Sequence, residues 1–514
     1  MDTTFTSWVY TILDFLAAAF VVSLGVGLVA IVVIYIVDVT QTKQAIRRNY
    51  PVIGRFRYLF EHMGEFFRQY FFAMDREELP FNRAERSWVY RAAKNVDRTL
   101  SFGSTRDLRP PGSIYFVNCA YPTRGEDAVE TSPITIGPYC KQPYTTSSLI
   151  NISGMSYGAL SKPAVQALSY GAQKAGCWLN TGEGGLSPYH LEGGCDIVFQ
   201  IGTAKFGVRD KNGNIDDDRL SKVAALPQVK MFEIKLSQGA KPGKGGILPG
   251  SKVTEEIASI RAIEVGEDAI SPNRHPDIKD ADALLDMIAR VRDVSGKPVG
   301  FKAVIGDTDW LEELFHLILV RGIESAPDFI TIDGAEGGTG AAPKPLLDYM
   351  GLPISESLPE VVDLLRGFGL RDRIKVIASG KLIVPSGIGW ALCMGADFVA
   401  SARGFMFSLG CIQAMQCNKN TCPTGVTTHD PKLQRGLNSE LKSFRVSNYV
   451  TNLTYDVGVI AHACGVLEPR QLRRSHARIV NSTGRSVTLE KLYPTVATGS
   501  MCSEMEQAAS VHKT

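Results

Sequence analysis

The sequence predicts an α/β fold: a (β/α)8 TIM barrel preceded by a transmembrane helix and a helical collar, and followed by a short C-terminal helical extension. Two observations carry this. Eight short β-rich runs, most followed by a helical stretch, fall between about residues 148 and 408, the count and length of a (β/α)8 barrel. An uncharged run of 23 residues, Phe15 to Val37, stands near the N-terminus. An open doubly wound sheet is the alternative arrangement of the same strands and helices.

The apolar run opens a first segment, residues 1–42. At 1.5 Å per residue it is long enough to cross a bilayer core of roughly 30 Å. Asp2 and Asp14 and no basic residue precede it, whereas Lys43, Arg47, Arg48, Arg55 and Arg57 follow. A signal peptide has the opposite flanks. The positive-inside rule then predicts a single-pass membrane protein with its catalytic part in the cytoplasm; a buried core helix is the other source of such a run. Residues 43–147 read as a basic, aromatic collar, with Phe, Tyr, Leu and Met at helical spacing between arginines. Such a segment suits anionic headgroups, but Glu61, Glu65, Asp75, Glu77 and Glu78 favour packing on the catalytic domain.

Residues 148–430 form the predicted barrel. Its runs are LINISGMSYG, CWLNTGEGG, IVFQIGTAKFGV, MFEIKLSQG, VGFKAVIG, FITIDGAEGG, IKVIASGKL and DFVASARGF. After the fourth run, Ser237 to Lys252 is too long and glycine-rich for a minimal turn, and in a barrel it overlies the C-terminal mouth, where active sites are built. Residues 431–514 read as helical to about Arg474, then as a polar tail, mobile at its very end. A net charge of +2 and the absence of zinc-finger or helix-turn-helix spacing argue against nucleic acid as a partner. Ten irregularly spread cysteines argue for a reducing compartment rather than a disulfide framework.

Several residues are placed for chemistry. Lys235 and Lys302 interrupt apolar strands, so an anionic partner is expected beside them, unless they snorkel at strand ends. Glu183 is a carboxylate in a glycine-flanked turn, able to hold an ammonium or simply to brace the turn. The glycine-rich loops after the sixth and seventh runs, with Ser401–Arg403 after the eighth, suit a phosphate held by backbone N–H groups. No G-x-G-x-x-G opens a helix, so no NAD(P) site is indicated. Cys411, Cys417 and Cys422 form a C-x5-C-x4-C-P run, suited to a soft metal centre, and three ligands fit a 3Fe-4S cluster better than four-coordinate zinc. Three buried free cysteines are the other reading.

The stretch from Ile152 to about Asp430 resembles the FMN-binding synthase domain of glutamate synthases. The resemblance lies in GMSYGALS at Gly154, NTGEGG at Asn180, QGAKPG at Gln238, LPGSKVT at Leu248, GGTGAAP at Gly337 and GCIQAMQCNKNTCPTGV at Gly410. Within the family the chain looks most like the stand-alone synthase-domain proteins. The resemblance implies FMN, a 3Fe-4S cluster on the three cysteines, and reductive amination of 2-oxoglutarate through 2-iminoglutarate. It implies that Lys235, Lys241 and Arg261 hold substrate carboxylates, that Glu183 lies at the flavin and substrate edge, and that Lys302 sits by the flavin. Met155 and Ser156 would meet the isoalloxazine; Gly338, Ser379, Gly380, Ala402 and Arg403 would neighbour its phosphate. Lys244 and Ile247 replace a Glu and a Gln of the family's substrate loop, which puts the identity of the 2-oxoacid in question. The chain carries no amidotransferase segment with its N-terminal cysteine. Nitrogen is therefore expected from ammonia, an amine or a partner subunit, and electrons from ferredoxin or a reductase subunit. Synthesis of an N-substituted glutamate and a non-catalytic redox sensor are the alternative functions.

Overall fold

The computed structural model describes residues 3–502; the last part of the polar tail, read from sequence as mobile, lies outside them. The chain divides into two units, residues 1–84 and 85–514.

In the first unit, α1 (Thr3–Thr40) contains the apolar run. Its stretch Ser7–Thr40, 34 residues with an 18-residue window of mean hydropathy 2.9, is long and apolar enough to cross a membrane by length and composition. Two shorter helices follow, α2 (Ala45–Asn49) and α3 (Gly54–Phe67). Asp38 decides how they fold back. Its carboxylate is fully buried and accepts from Arg55 Nη2 at 2.8 Å, Arg47 Nε at 3.0 Å and the Val52 backbone N–H at 3.1 Å. A buried carboxylate needs such partners, and the two arginines come from α2 and α3, so the acid at the end of α1 pins the turn.

The second unit is a closed barrel of eight parallel strands, hydrogen-bonded in chain order. They are β1 (Ile150–Ile152), β2 (Leu179–Asn180), β3 (Ile197–Ile201), β4 (Val229–Lys235), β5 (Val299–Ala303), β6 (Phe329–Asp333), β7 (Lys375–Ser379) and β8 (Phe398–Ser401). All eight predicted runs are barrel strands, and β8 closes on β1 through Val399 opposite Ile150. The doubly wound alternative is thereby excluded.

Helix α4 (Arg83–Lys94) packs from Trp88 onward on the C-terminal extension. Three helices that matter for the site follow β1, β4 and β8: α5 (Lys162–Ala175), α6 (Glu255–Arg261) and α7 (Arg403–Leu409). The Ser161 and Thr254 hydroxyls cap α5 and α6 by accepting the Ala164 and Ile257 N–H groups. The long α8 (Ser439–Ala463) packs along α5 and donates from Asn452 Nδ2 to the Ala92 carbonyl of α4 at 2.8 Å.

Between α4 and the barrel the segment read as a collar turns from helix to short strands. Ile114–Phe116 pairs with Ala477–Val480, and Ile134–Ile136 with Tyr144–Thr146. The β-branched ITI and YTT runs favour this.

Period-2 alternation grades the barrel interior from apolar to charged. β4 points Met231, Glu233 and Lys235 inward in turn, and β6 points Phe329, Thr331 and Asp333. At the base, Trp178, Val198, Met231, Phe329, Ile377 and Phe398 form an apolar cluster closed by Ile136 and Tyr144 of the hairpin. Trp178 meets Phe398 edge-on with ring centroids 5.1 Å apart. Above it, Glu233 accepts from Gln200 Nε2 at 2.7 Å, Asn180 Nδ2 at 2.8 Å and Thr331 Oγ1 at 2.6 Å. That satisfies the carboxylate without an ion pair.

Trp178→Ala empties the centre of the apolar layer and is expected to cost about 3–5 kcal/mol of stability, read as an earlier denaturant midpoint in detergent-solubilised protein.

Candidate active site

The barrel mouth is built on two buried ion pairs. Lys235, the last residue of β4, places Nζ 3.0 Å from Glu183 Oε2 in the loop after β2, and its ammonium also bonds to Gln238 Oε1. Lys302 of β5 places Nζ 3.2 Å from Asp333 Oδ2, at the end of β6. Asp333 Oδ2 also accepts the Gly239 backbone N–H at 2.8 Å, tying the glycine-rich loop to the barrel. Burial alone would depress the Lys302 ammonium, but Asp333, Glu233 and Glu183 outweigh it and hold its pKa above the usual lysine range. Burial opposes ionisation of Glu183 in the same way. Lys235, Lys241 and Arg261 overcome it, so the carboxyl titrates below its ordinary value.

Cations outnumber carboxylates around Glu183. Lys241 and Arg261 are both buried, and both act on Glu183, which already pairs with Lys235. Burial pushes Lys241 down to about 8 despite Glu183, and Arg261 down to about 10. Arg261 lies over the Phe206 ring at 5.1 Å and donates from Nη2 to the Tyr157 carbonyl at 3.3 Å, while its buried Nε has no partner. A guanidinium with an unused buried donor, beside a lysine weakened by desolvation, is a receptor for an anion.

Glu183, Lys235, Gln238 and Lys244 line a cleft at the mouth, with Thr203 and Asn273 completing it. Gly246 lies so close to Glu183 that a Cβ there would stand 2.1 Å from Oε1. The glycine therefore lets this loop cover the carboxylate without displacing it from Lys235. Lys244 is exposed. Ile247 is 45% exposed, in the short antiparallel pair Ile247–Leu248 with Ala269–Ile270, and does not line the cleft.

A second positive corner lies at the ends of β7 and β8. Ser379 closes β7, and its carbonyl accepts the Gly334 N–H at 2.8 Å; Gly380 follows with φ at +135°. Ala402 precedes α7, and Arg403 begins it. Arg403 Nη2 donates to the Glu336 carbonyl at 3.0 Å. Gly338 packs on the same guanidinium, where a Cβ would stand 2.8 Å from Nε. Burial lowers Arg403 to about 10, and burial and Arg403 together lower Lys381. The five residues read from sequence as a phosphate site thus meet in one corner, with Lys381 as a further cation.

Met155 and Ser156 lie in the loop after β1. The Met155 N–H donates to the Asn180 carbonyl at 3.0 Å, and its carbonyl is 2.9 Å from His190 Nε2. Burial holds His190 near 4, so the ring is neutral and donates from Nε2.

The cysteine loop follows α7. Non-glycine residues Gln413, Met415 and Asn420 all have positive φ, a strained path of about 1–3 kcal/mol per residue that surrounding contacts must hold. Tyr90 Oη donates to the Cys411 carbonyl at 2.6 Å, and Asn420 accepts from Thr428 Oγ1 at 2.6 Å and from the His429 N–H at 2.7 Å. The Cys411, Cys417 and Cys422 thiols act on one another's ionisation. Burial pushes Cys411 up to about 12 and raises Cys417; at Cys422 hydrogen bonds from Thr424 and Thr427 outweigh burial and lower it. Among the described residues no three His, Cys, Asp or Glu side chains close on a single metal ion.

Sequence reasoning missed Glu233, Asp333 and His190 as site residues. Strand alternation was the available signal for the first two: Glu233 is two residues below Lys235 on one face, and Asp333 ends a strand run. Nothing in the local pattern marks His190, whose role arises from a contact 35 positions away.

Residues 125–467 match the family model described as a conserved region in glutamate synthase. The glutamate synthase large subunit-like protein YerD of Bacillus subtilis (strain 168) is 42% identical, over 94% of this chain and 98% of its own. The archaeal glutamate synthase (NADPH) of Methanocaldococcus jannaschii is 33% identical over 64% of this chain, and the match spans only 61% of that protein. The glutamate synthase large subunit-like protein of Rhizobium meliloti (strain 1021) is 28% identical over 68% of this chain and 80% of its own.

Anion binding at this site is expected to be pH-dependent. Lys241 is charged below about pH 8, so affinity for a small dicarboxylate holds up to there and falls by up to about tenfold per unit above it. Isothermal titration between pH 6.5 and 9.5 measures this, and Lys241→Gln removes that leg of the profile.

Proposed function

The chain belongs to the glutamate synthase family and is an oxidoreductase of that type, and on that footing we propose that it reductively aminates a 2-oxoacid of the 2-oxoglutarate class. Electrons come from an external donor, a ferredoxin or a reductase subunit. Nitrogen comes from ammonia, an amine or an amidotransferase partner.

The observation that carries this reading is the surplus of buried cations around Glu183: Lys235, Lys241 and Arg261 against one carboxylate. Lys241 and Arg261 have charge to spare for the carboxylates of the oxoacid, and Lys235, held by Glu183, presents its ammonium at the cleft. Glu183 stays ionised and fixes Lys235. The glycine-rich loop over it restricts water at the mouth, which strengthens each of these interactions.

FMN fits the residues present. Ser379, Gly380, Ala402 and Arg403 with Gly338 and Lys381 offer a cationic, glycine-lined corner for its phosphate. Met155, Ser156 and Lys302 would lie along its ring, and when bound it supplies the two-electron reduction. Lys302, kept protonated by Asp333, is the cation available to stabilise negative charge on that ring.

A 3Fe-4S cluster suits the donor set at Cys411, Cys417 and Cys422. Thiolates are the usual holders of such clusters, and a polynuclear core spaces its ligands more widely than one ion does. In this reading the helix Ser7–Thr40 is a membrane anchor, and the basic residues after it support a cytoplasmic catalytic unit by the positive-inside rule.

Purified protein reduced under anaerobic conditions is expected to be reoxidised by a 2-oxoacid with ammonia or an amine, read as return of flavin absorbance. No reoxidation by any oxoacid tried, with cofactors present, overturns the reading. Lys241→Gln is expected to lower kcat/KM for the acid roughly 10- to 100-fold, the worth of a charged hydrogen bond of about 1.5–3 kcal/mol. Cys417→Ser is expected to abolish the paramagnetic signal of the cluster; an unchanged spectrum removes that assignment.

A further inference from the structure

Lys252 is 2% exposed, on the stretch that leads from the glycine-rich loop into α6. Its Nζ donates to the Thr427 carbonyl at 2.8 Å, the Cys417 carbonyl at 3.2 Å and the Ala159 carbonyl at 3.4 Å. Among the described residues no carboxylate pairs with it. Three other buried lysines at this end of the barrel differ: Lys235 pairs with Glu183, Lys302 with Asp333 and Lys205 with Asp277, while Lys241 has the Glu183 charge acting on it. Carbonyl oxygens solvate an ammonium but leave its charge unbalanced in a medium where an unpaired charge is costly. Burial lowers the Lys252 ammonium, and the acidic groups that act against this are the thiols of Cys417 and Cys422; His429, neutral and bonded to the Gly158 carbonyl, brings no charge.

We propose that Lys252 is a positioning residue for the metal centre. Its ammonium pins the Cys417 backbone to the loop after β1 and supplies the positive charge that balances a cluster held by the three thiolates. The inference rests on the cluster reading above and adds to it a specific partner outside the cysteine run. It also gives the substrate loop a second role, because the segment carrying Lys241 and Lys244 continues directly to Lys252 and so to the cysteine loop.

The test uses full-length protein, isolated anaerobically in detergent, and reads iron and sulfide per chain together with the midpoint potential of the paramagnetic signal. Lys252→Gln keeps N–H donors and most of the length but removes the charge; Lys252→Arg keeps the charge. Lys297, which also donates to three carbonyls (Ala224, Leu226 and Val229) far from the cysteines, is the structural control as Lys297→Gln. The expected result is a potential shifted to more negative values, or a lost cluster, in Lys252→Gln, with Lys252→Arg and Lys297→Gln close to wild type. A Lys252→Gln protein with wild-type cluster content and potential overturns the proposal. So does loss of the cluster in Lys252→Arg to the same extent as in Lys252→Gln. Should Lys252→Gln fail to fold, Lys252→Met is read in its place. If both neutral variants fail while Lys252→Arg folds with its cluster, the charge requirement stands; if Lys252→Arg fails too, the proposal falls. Wild-type protein free of iron and sulfide would instead remove the cluster reading, before any variant is made.

Discussion

Charge balance at the mouth of the barrel is the constraint on which the rest of the site depends. Strands and loops keep water away from it, and a lone ion there is costly. Glu183 with Lys235 and Asp333 with Lys302 meet this requirement in pairs. Each pair joins elements distant in sequence, so neutralising the charge also fixes the geometry: β4 to the loop after β2, β5 to β6, and through the Gly239 N–H the glycine-rich loop to Asp333. Lys241 and Arg261 are left over. Such a surplus of buried positive charge is the feature on which the proposed binding of an anionic oxoacid rests.

The interior beneath that mouth explains how such a charged end is tolerated. Successive inward positions run from the Trp178 and Phe398 layer, through the Glu233 layer satisfied by neutral donors, to the ion pairs. The middle layer separates the apolar base from the ions, and Glu233 places a negative charge below Lys302 that helps keep it protonated. The cysteine loop shows a different solution. Its backbone passes through three left-handed non-glycine residues, held by Tyr90, Asn420 and Lys252 rather than by regular structure.

How much of this was legible beforehand depended on the range of the interaction. The eight strands were readable because each is a short apolar run with a glycine-rich end. Lys235, Lys302 and Glu183 stood out because charge in such runs is rare, and the phosphate corner because Ser379–Gly380 and Ala402–Arg403 end consecutive strands. The short strands before the barrel escaped a helical reading because three residues are too few to show a period. Asp38 escaped because one acid beside an apolar run gives no sign of arginines nine and seventeen positions away that will close on it.

The sequence by itself determined the barrel, the apolar helix and the roster of charged and thiol side chains, which follow from local periodicity and residue type, and the family, which follows from the resemblance of its motifs. Tertiary structure alone decided which charges neutralise one another and which remain over. It decided that Ile247 stands outside the cleft, that His190 orders the Met155 backbone, and that Lys252 reaches Cys417. Those outcomes turn on distances between strands and loops far apart in the chain. A residue's type states what it is able to bind, and only closure of the barrel determines what lies within reach.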